Sequence, residues 1–144
     1  MAYDPKLSWK GVERQMNGFG GNTADTTINS GYLRIYDNTS TVPTNADDSN
    51  GTNVLLAELV LNADAFGACA VGTGVLTAGA ITADSSANAA GTASYGRYYL
   101  SDGTTCVFQG LCGTSASDFI LNSLTIALGA NVSCSAATLT GARE

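Results

Sequence analysis

From residue 31 onward, apolar residues either alternate with polar ones or form short runs, and clusters of Gly, Asn, Asp and Ser separate them. Thr, Val, Tyr and Ile are enriched in these runs, as expected for pleated, half-buried strands. The pattern predicts strands at 32–36, 54–62, 66–71, 75–82, 93–101, 104–110, 119–121, 124–128 and 132–140. Eight or nine strands in about 110 residues fit an all-β antiparallel β-sandwich or jelly-roll-like fold better than one open sheet. The first stretch is different. In SWKGVERQMN, residues 8–17, Trp9, Val12 and Met16 recur at helical spacing, with Ser8 as N-cap and Gly18 as the stop. The chain is therefore expected to divide into an arm over 1–30, a short N-terminal helix followed by a Gly-rich hinge, and a β-domain over 31–144.

The clearest local signal is the hairpin YGRYYLSDGTTCVFQG, where Asp102-Gly103 suits a two-residue turn with both residues at positive φ. Pairing Ser101 with Thr104 sets Tyr99 opposite Cys106, Tyr98 opposite Val107 and Arg97 opposite Phe108. One face then holds Tyr98, Leu100, Val107 and Leu111, and the other holds Tyr95, Tyr99, Cys106 and Phe108 around Arg97. Both faces are partly apolar. The ribbon is thus expected either centrally in the core or against another subunit.

Composition narrows the chemistry. The 144 residues are 44% hydrophobic, but that fraction contains 21 alanines, so the core is built from few large side chains. Charged residues make up only 12%, and hydroxyls and amides are expected to cover the surface. Six basic and twelve acidic residues give a net charge of −6, and four of the six basic residues precede residue 35. No cationic stripe remains to track phosphates, so nucleic acid is not an expected partner. With no histidine in the chain, Ser-His-Asp and Cys-His catalysis, most zinc sites and a histidine pH switch drop out. No apolar run reaches the roughly 18 residues of a membrane span, and MAYDPKLSWK lacks the apolar stretch of a signal peptide. The expectation is a soluble product made in a cytoplasm, with no membrane partner.

The remaining candidates for chemistry are weak. Cys69, Cys106, Cys112 and Cys134 contain no CxxC pair, and each stands where Val or Ala would serve, which favours buried free thiols over disulfides or a metal. NADDSNGTN partly matches a calcium loop. With Gly51 in register, however, Ala46 and Ala57 fall where the first and last carboxylates belong, so a solvated loop with an Asn50-Gly51 turn is expected. Glu58, the one charge in LLAELVL, reads as an outward-facing strand residue, with an interface ion pair to Arg34 or Arg97 as the second option. The Asp residues sit in turns, and neither Lys6 nor Lys10 is placed to activate a hydroxyl. No catalytic site, cofactor or metal site is expected.

The blocks SGYLRIYD, LLAELVLNADAFGAC, ITADSSANAAGTASYGRYYLSDGTTCVFQGLCGT and LNSLTIALGANVSCSAATLT resemble a family of small tailed-bacteriophage virion structural proteins that includes capsid cement, or decoration, proteins. The likeness runs from about Gly31 to Thr140 and contains no catalytic motif. It implies a non-enzymatic β-sandwich that binds the outer surface of the shell, with the major capsid protein as partner. The implied location is the virion, assembled in the host cytoplasm. A homo-oligomer, most simply a trimer, would fit the symmetric positions a capsid offers.

Partner contacts are expected at Trp9, Lys10 and Arg14, where spare basic charge meets the only tryptophan, and at Tyr95, Arg97 and Tyr99 on the apolar ribbon. Two rival readings stand beside this one. One is a tail-tip or fibre adhesin for host glycans, for which Tyr95, Tyr99 and Trp9 are the aromatic candidates. The other is a small periplasmic or surface β-sandwich of bacterial origin, which would need a signal peptide.

Overall fold

The computed structural model describes residues 29–70 and 72–141, and these are all-β. Ten strands follow in chain order. They are β1 (Tyr32–Tyr36), β2 (Leu55–Leu61), β3 (Val75–Thr77), β4 (Ile81–Thr82), β5 (Gly91–Thr92), β6 (Tyr95–Tyr99), β7 (Cys106–Gly113), β8 (Phe119–Leu121), β9 (Thr125–Ile126) and β10 (Cys134–Thr140). Eight of them form one sheet in the order β3-β10-β8-β7-β6-β1-β2-β4, while β5 and β9 make a separate two-stranded ribbon. Every pair is antiparallel except β7 with β8, so the sheet is mixed. The helix expected over 8–17, with Trp9, Lys10 and Arg14, lies outside the described residues.

Alternation explains the core. Leu33 and Ile35 of β1, Leu59 and Leu61 of β2 and Tyr98 of β6 point to one face of the sheet. Leu76, Leu139, Ala137, Phe119 and Leu121, from strands at the other end of the sheet, join the same buried cluster. Aromatic edges tie this cluster together. The Tyr98 ring meets Phe66 at 5.3 Å and Phe119 at 5.2 Å, both edge to face, and Phe119 meets Phe108 at 6.2 Å in the same way.

Tyr98 is fully buried, yet its hydroxyl has no hydrogen-bond partner. A buried donor without a partner costs about 1–3 kcal/mol, so Tyr98→Phe is expected to leave stability unchanged or to raise it by about 1 kcal/mol. Urea denaturation reads this directly, and a drop of the same size would show that the hydroxyl has a role in the core.

Three expectations need correction. Residues 66–70 do not form a regular strand: Phe66 makes one isolated bridge to Ala78, and Gly67 N–H and Ala70 N–H donate to Thr77 and Val75 along the outer edge of β3. The predicted strand over 75–82 breaks into β3 and β4. The bend is at Gly79, where a Cβ would meet the Asp64 carbonyl oxygen at 2.9 Å, and its N–H donates to Ala65.

The third correction is to the hairpin. Of its two turn residues only Gly103 has positive φ, at 69°. Its N–H closes the turn on the Leu100 carbonyl, as in a type I turn followed by a left-handed glycine. Asp102 accepts from the Thr104 and Thr105 N–H groups and from the Thr105 hydroxyl. The Thr105 bonds come first in holding the Asp102 carboxyl down to about 2. What this turn adds to stability is therefore present above the ordinary carboxylate range and lost as pH falls towards 2.

Tyr99 faces Cys106 as expected, but the register shifts between Tyr98 and Tyr99, so Tyr98 faces Phe108 and Arg97 faces Gln109. The extra residue, Val107, is a β-bulge. A one-residue slip exchanges faces, and it sends Phe108 to the core and Leu111 to the opposite side.

Candidate functional site

The side of the sheet turned away from the core carries an ordered grid of tyrosines and charges. Pairing across β2, β1, β6 and β7 aligns Val60, Tyr32, Tyr99 and Cys106 in one row and Glu58, Arg34, Arg97 and Gln109 in the next. A third row holds Leu55, Tyr36, Tyr95 and Leu111. The expectation that both ribbon faces are partly apolar thus has its answer inside the chain: β6 is central, with the core on one side and this grid on the other.

The long connection from β1 to β2, residues 37–54, folds back over the grid as a strap. Loops of this length without strands of their own are uncommon and are usually functional or disordered. This one is pinned along its length. At its base the Asp37 carboxylate accepts from Val54 N–H at 2.7 Å, the Thr39 hydroxyl at 2.6 Å and Thr39 N–H. Burial would raise the Asp37 pKa, but these donors outweigh it and hold the carboxyl below its ordinary value. Asn53 accepts from Ser40 N–H and donates to the Thr41 carbonyl and the Tyr95 hydroxyl. At the tip, Gly51 turns the chain at φ 59°, and the Asn50 side chain accepts from Tyr95 and donates to Tyr99.

Arg97 is the central pin. Its guanidinium is 3% exposed and donates to Gln109 Oε1 at 2.9 Å, the Asp48 carbonyl at 2.8 Å and the Asn45 carbonyl at 3.1 Å. Gln109 in turn donates to the Pro43 carbonyl at 2.7 Å. Tyr36 stacks on Tyr95 with centroids 5.3 Å apart, and its hydroxyl lies 3.3 Å from that of Tyr99. Burial, foremost, and the Tyr99 contact raise the Tyr36 pKa, so the phenol stays protonated and able to donate.

The expected contact residues on the ribbon are therefore not at the surface. Tyr95, Arg97 and Tyr99 are 0%, 3% and 6% exposed, and they act as the strap's foundation, with Arg97 and Tyr99 reached only through the cleft beside the strap. Charge explains why the strap has to be there: a guanidinium among tyrosines needs acceptors, and backbone carbonyls supply them.

Arg34 stays nearer the surface. It pairs with Glu58 directly across the strands at 2.6 Å, donates to the Gly103 carbonyl and lies 4.6 Å from the Tyr99 ring centroid. Glu58 points away from the core as expected, and its pair with Arg34 lies within the chain, between neighbouring strands, where an interface pair was the second option.

Between the strap and the β6–β7 turn lies a cleft of about 330 Å3. Ala46, Asp47 and Asp48 form one wall, Thr104, Thr105 and Cys106 the other, and Arg97 and Tyr99 the floor. Asp48 accepts from Asn45 N–H, and Asp47 N–H donates to Asn45. Sequence reasoning passed over Asn50, Asn53 and Gln109 as members of this site. The available signal was Arg97 itself, a cation with no carboxylate opposite it in its own hairpin.

The remaining candidates yield no reactive centre. Among the described residues no group of three or more His, Cys, Asp or Glu is gathered to hold a metal ion, and the calcium-like loop is the strap tip. Cys106, Cys112 and Cys134 are free thiols, and Cys69 and Cys134 are buried. Burial, with Cys134 and Asp118 adding to it, pushes the Cys112 thiol up to about 12, and burial also raises Cys106 and Cys134. Thiols held protonated in this way are poor nucleophiles. Comparison of the chain with protein-family models, with curated proteins and with solved structures found no match.

Proposed function

We propose that this protein is a non-enzymatic structural protein of a tailed-phage virion, a cement or decoration protein bound to the outside of the shell through the major capsid protein. The observation that carries this reading is the strapped sheet face. Its arginines, Glu58, Gln109 and buried tyrosines are tied to one another and to the strap by hydrogen bonds, so the site presents a rigid shape. The resemblance supports it further. The blocks that carry the likeness supply β1, β2, β4 to β7, β9 and β10, whereas residues 38–54 fall between the first two blocks. A shared scaffold with its own strap is what a family of shell-binding proteins with different partners would need.

In this reading the curled sheet closes over its core as a jelly-roll-like sandwich, and the functional unit is a homo-oligomer, most simply a trimer. The grip on the shell lies on the strap and on the N-terminal segment with Trp9, Lys10 and Arg14. The test is to mix the protein with empty capsids. It is expected to co-sediment and to raise their disruption temperature, and failure of both overturns the proposal. Deleting residues 1–18 is expected to abolish binding while the melting temperature holds. A truncated protein that still binds removes the anchor from that segment.

One observation favours the glycan-adhesin reading as the second choice: the cleft sets the Tyr99 ring beside Asp47 and Asp48.

A further inference from the structure

We propose that the cleft between the strap and the β6–β7 turn binds a neutral saccharide unit, held through its hydroxyl groups. The inference rests on the second reading above and is independent of capsid binding. Size permits it, because about 330 Å3 lies at the lower end of ligand pockets, enough for one sugar ring with water.

The lining chemistry selects the ligand. At the floor is a guanidinium that is 3% exposed and spends three of its five N–H donors on Gln109, Asp48 and Asn45, leaving two. On one wall Asp47 and Asp48 offer carboxylate acceptors, and the Asp47 carboxylate takes no hydrogen bond from the described residues. Opposite them stand the hydroxyls of Thr104 and Thr105, while Ala46 and the Tyr99 ring give a small apolar surface.

An anion would meet the Arg97 donors only after passing two carboxylates on a chain of net charge −6. A cation would be drawn to the rim but would find the Arg97 charge beneath it. A polyhydroxyl ring uses both sets of groups, because each hydroxyl donates to a carboxylate or accepts from an N–H. The pinned strap holds these groups in place before binding, which spares the ordering cost that weakens most shallow sites.

The test uses the full chain and amide-resolved NMR with methyl glycosides of glucose, galactose, mannose, fucose and N-acetylglucosamine, each added singly at millimolar concentration. At least one is expected to shift the amides of Ala46, Asp47, Asp48, Thr104, Thr105 and Cys106 and to leave those around Leu128 in place. Asp47→Asn and Thr104→Val alter groups that do not pin the strap, and each is expected to weaken binding about ten-fold, the loss of one strong hydrogen bond. The proposal is overturned if no sugar shifts these amides, if both variants bind like the parent, or if inorganic phosphate shifts them while the sugars do not. Capsid binding by Asp47→Asn is read separately, so failure of the sugar site and failure of the virion reading can be told apart.

Discussion

Arg97→Met is expected to lower the unfolding free energy by about 3 kcal/mol and to release the strap before the sheet melts. Two effects oppose each other. Burying a cation without a carboxylate beside it is costly, and removing it recovers that cost. Against this, Gln109 Oε1 and the carbonyls of Asn45 and Asp48 lose donors at 2.8–3.1 Å, and hydrogen bonds to a charged donor contribute about 1.5–3 kcal/mol each. Three such bonds outweigh one recovered desolvation, because the strap carbonyls regain water only by leaving the tyrosines exposed. Arg97→Lys is expected to recover little, since a single ammonium cannot reach three acceptors arranged around a planar fork. Urea denaturation measures the total loss, and amide exchange at Ser40, whose N–H donates to Asn53, reports the strap. An unchanged midpoint with unchanged exchange would remove Arg97 from the role of pin.

Phe119→Ala is expected to cost about 3–5 kcal/mol, the range for emptying a fully buried aromatic site. The ring is central because it packs edge to face against two other core rings, Phe108 of the adjoining strand β7 and Tyr98 of β6 beyond it. It fits only because Gly96 has no side chain. A Cβ at Gly96 would lie 2.9 Å from Phe119 Cδ2 and 3.2 Å from Leu33 Cδ1, and one at Gly110 would meet Phe119 Cε2 at 3.0 Å. Gly96→Ala is therefore expected to cost about 1–3 kcal/mol through overpacking, although alanine would otherwise favour the ordered backbone. In the Phe119→Ala background most of that cost should vanish, a coupling of about 1 kcal/mol or more. Additive effects in this double-mutant cycle would show that the Phe119 ring is not what excludes a side chain at Gly96.

Much of the scaffold was legible because strand patterning is local. β1 and β8 carry the predicted bounds, and Tyr99 opposite Cys106 follows from turn position alone. The errors are of one kind. The bulge at Val107, the break at Gly79 and the irregular path of residues 66–70 each depend on what an adjoining strand or loop presents, and period-two alternation carries no information about such neighbours. For the site, the polar grid of Tyr95, Arg97 and Tyr99 was visible on one face of a strand. Its cover was not: Arg97 finds its acceptors at Asn45 and Asp48, across 52 and 49 residues, and nothing in NADDSNGTN marks its carbonyls as ligands of a guanidinium.

By itself the sequence determined that the chain from residue 31 onward is strand-forming, that it carries little positive charge, and that histidine chemistry is absent, since these depend on composition and short-range alternation. Only the tertiary structure decided which face of β6 meets the core, and only it shows the β7 bulge that reassigns Phe108 and Leu111. It also turned three expected contact residues into a buried foundation and made a cleft where the sequence offers only a polar loop. The physical reason is the reach of the forces involved. Strand propensity acts between neighbours in sequence, whereas a buried guanidinium must be satisfied by whatever acceptors the fold brings over it.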